Sequence, residues 1–313
     1  RNYMELFLPS KKWNKEYIFA RNQGTGYSDN IHQEKCMAAN GMGGWSGLCP
    51  TQELVDAYEM ANGSTPIIGY NADGTPIING ASGYSQTGFA ATAGKHYPAG
   101  VYNMYVGREP RFYASINFNG QQWRGRQLEF WQGGKDGINV SKVDYCCTGY
   151  LLRKTADEGV DVINGKGGMK EASILFRVGS LYLDYAEALN EAEGPVDDVY
   201  KYVDAIRKRA GLPGLAKGLD KDKMRERIQH ERQIELAFEA GHRYFDCHRW
   251  KIAEKTDNGY MHGMNITATN KVDYSKRSTV GDSRVFEKKH YLFPIPQSEM
   301  DKRIGLVQSP YWE

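Results

Sequence analysis

The chain has 313 residues, 40% of them hydrophobic, which is enough for one large domain or two ordinary ones. Its 40 basic and 38 acidic residues give a net charge of +2, and this near balance offers no electrostatic case for nucleic-acid binding. No stretch approaches the roughly 18 consecutive apolar residues that a transmembrane helix needs. The 35 glycines and 21 tyrosines predict long ordered loops that carry aromatic side chains, and binding sites are often built on such loops.

The first 60 residues are predicted to contain a strand, a loop and a short helix. The end of a helix is expected near the amino terminus, and the apolar run at residues 17–20 then predicts a short strand. Residues 22–49 are rich in Gly, Asn and Ser, so we expect a loop there. Residues 50–60 open with Pro-Thr, which predicts a short helix with Thr51 as its N-cap.

The middle of the chain combines glycine with aromatic residues. Residues 62–107 are the most glycine-rich segment and are predicted to form a loop excursion from the core. The alternation over residues 111–118, followed by Asn119-Gly120, predicts a β-hairpin with a type I′ turn. A further β-like run covers residues 138–154. The aromatic side chains of the glycine-rich segment are Tyr70, Tyr84, Phe89, His96, Tyr97, Tyr102 and Tyr105.

Three helices are predicted from the apolar spacing that follows. The spacing predicts a helix over residues 173–193 and a second over 197–210, and a third is expected to begin after Asp220, a favourable N-cap. The first two have the length of one tetratricopeptide unit, although no second copy is visible. After Trp250 the chain is predicted to be irregular, with an extended segment at residues 291–296 because residues before proline avoid the α region.

The third helix and the residues after it mix charges with aromatic rings. A solvated face of ion pairs is one interpretation. The interleaved Tyr244, Phe245 and Trp250 favour another, a partly buried junction in which each charge needs a partner. We therefore expect a structural rather than a catalytic charge network. Its members are Glu231, Arg232, Glu235, His242, Arg243 and Asp246.

Six segments of the chain together resemble one protein family. They are PTQELVDAYEM (residues 50–60), REPRFY (108–113), LYLDYAEALNE (181–191), AIRKRAGLP (205–213), IQHERQIELAFEAGHRYFDCHRW (228–250) and YLFPIPQSE (291–299). In this order they are similar to the C-terminal part of the SusD/RagB family, the surface glycan-binding lipoproteins of Bacteroidetes. Six motifs in family order are far more specific than any one of them.

The resemblance implies a fold and a domain plan. The expected fold is mainly α with long irregular loops, a few short β-hairpins and one tetratricopeptide-type helix pair left from an α-α superhelix. Within residues 1–313 it implies a loop-rich ligand-binding part (1–172), a helical scaffold (173–250) and an irregular C-terminal segment (251–313). The N-terminal region of the full protein, with its signal peptide and lipidated cysteine, is expected to be missing.

The resemblance also implies a function without a catalytic step. Such a protein captures an oligosaccharide at the extracellular face of the outer membrane, where a lipid anchor holds it. It then passes the ligand to a SusC-like TonB-dependent transporter. The resemblance implies no cofactor.

Aromatic side chains in the loops are the candidate ligand contacts. Sugar rings have apolar C–H faces and hydroxyl rims, so their sites combine flat rings with hydrogen-bonding groups. Trp45 is the first choice, because its flanking glycines leave the indole free, although the ring could also fold onto the core. Further candidates are Tyr27, Tyr84, Tyr97, Trp123 and Asn40. Weaker ones are Trp13, Trp131, Asn30 and Asp29.

Two other classes of function stay open at this point. A glycoside hydrolase would use two carboxylates, yet Glu53, Asp56 and Glu59 have the placement of charges favoured near a helix N-terminus. A peptide-binding helical-repeat adaptor is the second alternative.

The cysteines and histidines predict no metal site. His242 and Asp246 stand four apart, as ligands on a helix would, but no third and fourth ligand follow at a recognisable spacing. The five cysteines are an odd number and are expected to be free thiols. A bridge between Cys36 and Cys49 is left open, whereas the adjacent Cys146 and Cys147 are not expected to pair because their bridge would be strained.

Overall fold

The structure is helix-rich, with short strands that pair only two by two. In the described residues no strand pair extends into a larger sheet or closes into a barrel. The predicted fold class, mainly α with long loops and a few hairpins, is therefore confirmed. This computed structural model describes residues 3–8, 14–22, 27–138, 143–166, 172–239, 241–302 and 304–312, with no description of the side chains of residues 22, 27–30 and 172.

The elements alternate along the chain with long connections. The helices are α1 (Tyr27–Met37), α2 (Gln52–Ala57), α3 (Pro110–Ser115), α4 (Val178–Glu193), α5 (Asp197–Arg209), α6 (Lys221–Glu235), α7 (His242–Arg249), α8 (Ala253–Thr256), α9 (Lys271–Tyr274) and α10 (Gln297–Met300). The strands are β1 (Tyr17–Asn22), β2 (Ile67–Tyr70), β3 (Pro76–Ile78), β4 (Ile116–Phe118), β5 (Gln122–Trp123), β6 (Arg126–Gln127), β7 (Tyr150–Leu152), β8 (Ala172–Arg177), β9 (Gly259–Met264) and β10 (Arg277–Arg284).

Helices α4, α5 and α6 form the scaffold that the apolar spacing predicted. A shared apolar cluster joins them, and it includes Ala186 of α4, Val203 of α5 and Ile228 of α6. The α6 N-cap is Asp220, whose carboxylate accepts a hydrogen bond from the Lys223 backbone N–H at 2.8 Å. The predicted starts of α5 and α6 are thus confirmed.

The prediction of a helix from residue 173 is wrong at its first turn. Residues 172–177 form β8, which pairs antiparallel with β1. Ile174 packs with the apolar cluster around Leu6 and Phe7 while Leu175 is exposed, and this period of two is that of a strand. The helical spacing begins only at Val178, where a strand partner no longer competes.

The loop predicted near the amino terminus and the β-hairpin predicted in the middle of the chain are also wrong in part. Helix α1 lies within the predicted loop at residues 22–49, because residues 27–40 contain no glycine and include good helix formers. Residues 110–115 are helix rather than strand, with Pro110 at the first helical position. The strand that follows pairs with β7, and the tight hairpin is β5–β6 instead of a turn at Asn119-Gly120.

The segment after Trp250 contains a hairpin that the sequence did not reveal. Strands β9 and β10 pair antiparallel, with Arg277 opposite Met264. Helix α2 holds this hairpin, since the Glu53 carboxylate accepts hydrogen bonds from the backbone N–H and the ring Nδ1 of His262, the latter at 2.6 Å. Strand pairing across a long connection leaves little local signal, which explains the missed prediction.

A buried charge network connects α6 to the loop-rich part of the chain. Glu235 is fully buried and pairs with Arg111 at 3.1 Å, with Arg177 at 2.8 Å and with Arg209. One turn earlier, Glu231 pairs with Arg111 at 2.6 Å. The guanidiniums hold the pKa of Glu235 well below its usual range despite the opposing effect of burial. The carboxylates of α6 therefore act as a structural junction.

A second group of ion pairs joins α6 to α7. Arg232 donates two hydrogen bonds to Asp246, at 2.9 and 3.0 Å, and also pairs with Asp184 of α4. His242 and Arg243 were predicted to share this network. Within the described ranges, neither side chain forms an ion pair.

His230 provides a test of burial at this junction. Burial, and then the nearby Arg227, lowers its pKa to about 4, so it stays neutral in the folded protein. Between about pH 6.5 and 4 the unfolded chain takes up a proton that the folded chain does not, and stability falls as the pH falls. Between pH 6.5 and 4, we expect His230→Asn to reduce the pH-dependent loss of unfolding free energy by up to about 3 kcal/mol. Urea unfolding at several pH values in this range measures the difference. An exposed-site control, His32→Asn, should keep the full slope, and a slope that His230→Asn leaves unchanged would contradict the assignment.

Candidate ligand-binding site

An open cleft of about 740 Å³ lies between the amino-terminal turn and the loop-rich region. Ligand sites are commonly clefts of about 300–1,000 Å³ with apolar walls and a few polar groups. The walls here meet that description, since rings and prolines alternate with amides and cations. They are lined by Tyr3, Met4, Glu5, Leu8, Gly94, Lys95, His96, Tyr97, Pro98, Pro110, Arg111, Tyr113, Ala114, Gln121, Gln122, Arg153, Arg209 and Ala210.

A stack of three rings forms one side of the cleft. Tyr113 is buried, and its hydroxyl donates a 2.5 Å hydrogen bond to the carbonyl of Tyr105, which fixes the ring. The His96 ring stacks on it with centroids 5.1 Å apart, and the Tyr97 ring lies 6.1 Å away at a similar inclination. Gly94 lies against the Tyr97 phenol, where a Cβ would collide with the ring. Only a residue without a side chain at position 94 lets the Tyr97 ring pack directly against the backbone.

Polar groups with unused hydrogen-bonding capacity lie on the same cleft. Gln121 is 2% exposed, and its Oε1 accepts from the Phe118 backbone N–H. Its Nε2, like the Nε of Arg153, is buried without a hydrogen-bond partner among the described residues. Buried donors without partners are uncommon in folded proteins, so each needs a partner that the described residues do not supply. Desolvation, and then the charges of Lys95 and Arg153, lowers the pKa of His96 and keeps this imidazole neutral near pH 7.

The predicted ligand residues lie in different places. Tyr97 lines the cleft. Trp45 is 38% exposed and is stacked on His32 with ring centroids 5.3 Å apart, and the Lys35 ammonium lies 5.4 Å from the indole centroid. It forms no part of the cleft lining. Its proposed role as a platform stays a prediction.

The other predicted contacts are occupied by the protein itself. Trp123 is 1% exposed and Tyr84 7% exposed, both in the main apolar core. The Asn40 side chain donates to the Gly137 carbonyl and accepts from the Gly41 backbone N–H. These three side chains therefore have packing and hydrogen-bonding roles in the structure. Tyr27, Trp13, Asn30 and Asp29 lie outside the described side chains.

Sequence reasoning missed three side chains of the cleft. Tyr113, Gln121 and Arg153 were not singled out as contacts, although Tyr113 ends the REPRFY segment that carries part of the family resemblance. His96 was noted only as one of many rings. A search for glycines placed before paired aromatics, as in Gly94-Lys-His-Tyr97, could have identified the ring stack.

Comparison with known proteins assigns the family. The SusD family model matches residues 11–312. The chain belongs to the SusD family. Among curated SusD-like proteins of Formosa agariphila, P25 is 42% identical over 82 residues, which are 25% of this chain and 15% of P25. P2 is 29% identical over 154 residues, 46% of this chain and 26% of P2.

Solved SusD-like structures from Bacteroides fragilis NCTC 9343 have a similar fold. One shares 30% identity with a TM-score of 0.74. The alignment covers 99% of this chain and 57% of the other protein. A second, described as a SusD-like carbohydrate-binding protein, shares 25% identity with a TM-score of 0.71. Here the alignment covers 96% of this chain and 56% of the other protein. The chain therefore spans little more than half the length of these SusD-like structures. None of the helices in the described residues has both the length and the apolarity needed to cross a bilayer.

Proposed function

We propose that this chain binds an oligosaccharide in the ring-stack cleft. The observation that carries the proposal is the neutral His96 and the Tyr97 ring stacked on a fixed Tyr113, beside the unpartnered donors of Gln121 and Arg153. Membership of the SusD family supports a carbohydrate as the ligand, because one solved relative is described as carbohydrate-binding.

The binding mechanism follows from the chemistry of a sugar ring. The apolar C–H face of a sugar lies against a flat aromatic ring, while its hydroxyls accept hydrogen bonds from the amide and guanidinium donors. The donors are already desolvated, so a bound hydroxyl satisfies a group that otherwise has no partner. Because Tyr113 is held by its neighbours, little side-chain ordering opposes binding.

The finer part of the proposal concerns the whole protein. Within the family resemblance, the ligand passes to a SusC-like TonB-dependent transporter at the outer membrane, and the protein is a lipid-anchored surface component. No catalytic step is proposed. The structure supports this, since Asp56 pairs with Arg277, Glu59 with Arg207, and Glu53 bonds His262, which leaves these carboxylates engaged in structural contacts.

A calorimetric titration with a panel of oligosaccharides tests the proposal. We expect Tyr97→Ala to lower the affinity for the best-binding oligosaccharide about ten-fold, because it removes a stacking surface worth about 1.4 kcal/mol. The matched control is Phe89→Ala, which removes a partly exposed ring outside the cleft and should leave affinity unchanged.

Three outcomes would change the proposal. Equal affinity for wild type and Tyr97→Ala would exclude the ring stack as the platform. Loss of affinity in Trp45→Ala alone would move the site to the Trp45 loop. Release of reducing ends during incubation would show a glycosidase instead of a binding protein.

A further inference from the structure

Three of the five cysteines meet at one point of the fold. Cys49 follows the loop that carries Trp45, whereas Cys146 and Cys147 precede β7, about one hundred residues later in the chain. The Sγ atoms of Cys49 and Cys146 are 3.6 Å apart. Cys147 also lies close enough to Cys49 to influence its pKa. The sequence had left open a bridge between Cys36 and Cys49, but the tertiary structure brings a different partner to Cys49.

The surroundings of the two closest thiols restrict their chemistry. The Cys146 side chain is 3% exposed, and its Sγ lies 2.8 Å from the carbonyl of Tyr150. The Sγ of Cys49 lies 3.1 Å from the carbonyl of Ser46. Mutual hydrogen bonding with Cys146, and then burial, raises the pKa of Cys49, so the reduced Cys49 thiol is a weak nucleophile at neutral pH. A bridge here is therefore expected to form slowly and to resist exchange once formed.

We infer that Cys49 and Cys146 form a disulfide when the protein meets an oxidising environment. The two sulfur atoms are 3.6 Å apart, and a movement of about 1.5 Å brings them to the disulfide bond length of about 2.05 Å. The oxidant is a small-molecule or protein disulfide. One thiolate attacks it and releases one thiol, and the second thiolate then displaces the other thiol. Two S–H bonds are lost, one protein S–S bond forms, and the oxidant is reduced to two thiols.

The proposed bridge has a structural consequence for the Trp45 loop. It would close a loop of roughly one hundred residues, and long closed loops remove the most entropy from the unfolded chain. It would also tie the segment four residues after Trp45 to the core next to β7. Cys147 would remain a thiol, because a bridge between adjacent cysteines is strained.

Mass spectrometry after mild oxidation tests the proposal. The purified protein is treated with oxidised glutathione, denatured, and its remaining thiols are alkylated. We expect a product with three alkylated cysteines, a mass lower by two hydrogens before alkylation, and a cross-linked peptide joining Cys49 to the peptide that contains Cys146. Its melting temperature should rise by about 5 °C relative to the reduced protein.

Three serine variants identify the pair. Cys49→Ser should abolish the bridge, whereas Cys147→Ser should retain it and remove the ambiguity within the Cys146-Cys147 peptide. Cys36→Ser is the matched control and should also retain it. The proposal is overturned if the oxidised wild type keeps five alkylated cysteines, if Cys49→Ser still forms an internal bridge, or if Cys147→Ser or Cys36→Ser abolishes the bridge.

Discussion

Replacing Glu235 with alanine is expected to lower the free energy of unfolding by about 3–5 kcal/mol, because it removes one member of a buried charge network and leaves its partners in place. The Glu235 carboxylate contacts three guanidiniums, those of Arg111, Arg177 and Arg209. Each retains another acidic partner, but the buried Arg111 and Arg177 cannot return to water. The cost is therefore that of buried positive charge that is only partly compensated.

The control for this prediction lies on the same helix. Glu226 is exposed on α6, and Glu226→Ala should change the free energy of unfolding by no more than about 0.5 kcal/mol. Urea unfolding at pH 7 measures both variants. Similar values for the two variants would show that burial of the α6 carboxylates contributes little.

Acid should reproduce part of the Glu235 effect in the wild-type protein. A carboxylate whose folded pKa is lowered contributes stability above its unfolded pKa, and that stability is lost as the pH falls toward the folded pKa. Glu239 and Glu59 have lowered pKa values as well, since each is paired with cations. The stability of wild type and Glu235→Ala should therefore converge as the pH falls below about 4.

Trp123→Ala is expected to lower the free energy of unfolding by about 3–5 kcal/mol and to change ligand affinity only through Arg153, which packs on the indole. The indole is 1% exposed, belongs to the main apolar core, and packs beneath the Arg153 guanidinium at 4.9 Å from the ring centroid. Truncation leaves a cavity that the surrounding side chains cannot fill. The same residue was a candidate ligand contact in the sequence, so this measurement separates the two roles.

A second tryptophan provides the matched comparison. Trp45→Ala makes the same chemical change at a residue that is 38% exposed, and it should cost about 1 kcal/mol or less. Chemical unfolding and calorimetry on both variants give the two quantities. A loss of affinity in Trp123→Ala larger than that in Arg153→Ala, at a temperature where both variants are fully folded, would contradict a purely structural role.

Local rules recovered the elements that depend on neighbouring residues. The start of α6 follows from the Asp220 cap, and the end of α5 follows from Gly211, whose positive φ of 83° a glycine adopts without strain. Where a local pattern favoured one secondary structure and pairing with a distant segment favoured another, the distant pairing determined the secondary structure. Residues 173–177 were predicted as the start of a helix, but they pair with β1 as part of strand β8. The β9–β10 hairpin had no comparable local signal.

The candidate site was recovered only in part. The aromatic content of residues 62–107 pointed to the segment that supplies two rings of the stack, and Tyr97 does line the cleft. Exposure was not predictable, because Trp45 and Trp123 have the same intrinsic preference, yet their exposed fractions are 38% and 1%. A loop has no periodicity that distinguishes an inward from an outward side chain.

The sequence by itself determined the family, the helical scaffold and the presence of many loop-borne rings, because motifs, caps and apolar spacing are written in neighbouring residues. Only the tertiary structure decided which rings face the cleft, which carboxylate each guanidinium meets, and which cysteine lies beside Cys49. Arg111 and Glu231, for example, are 120 residues apart in the chain and 2.6 Å apart in the fold. The energies of such contacts depend on burial and on the partner's position, which no local pattern encodes.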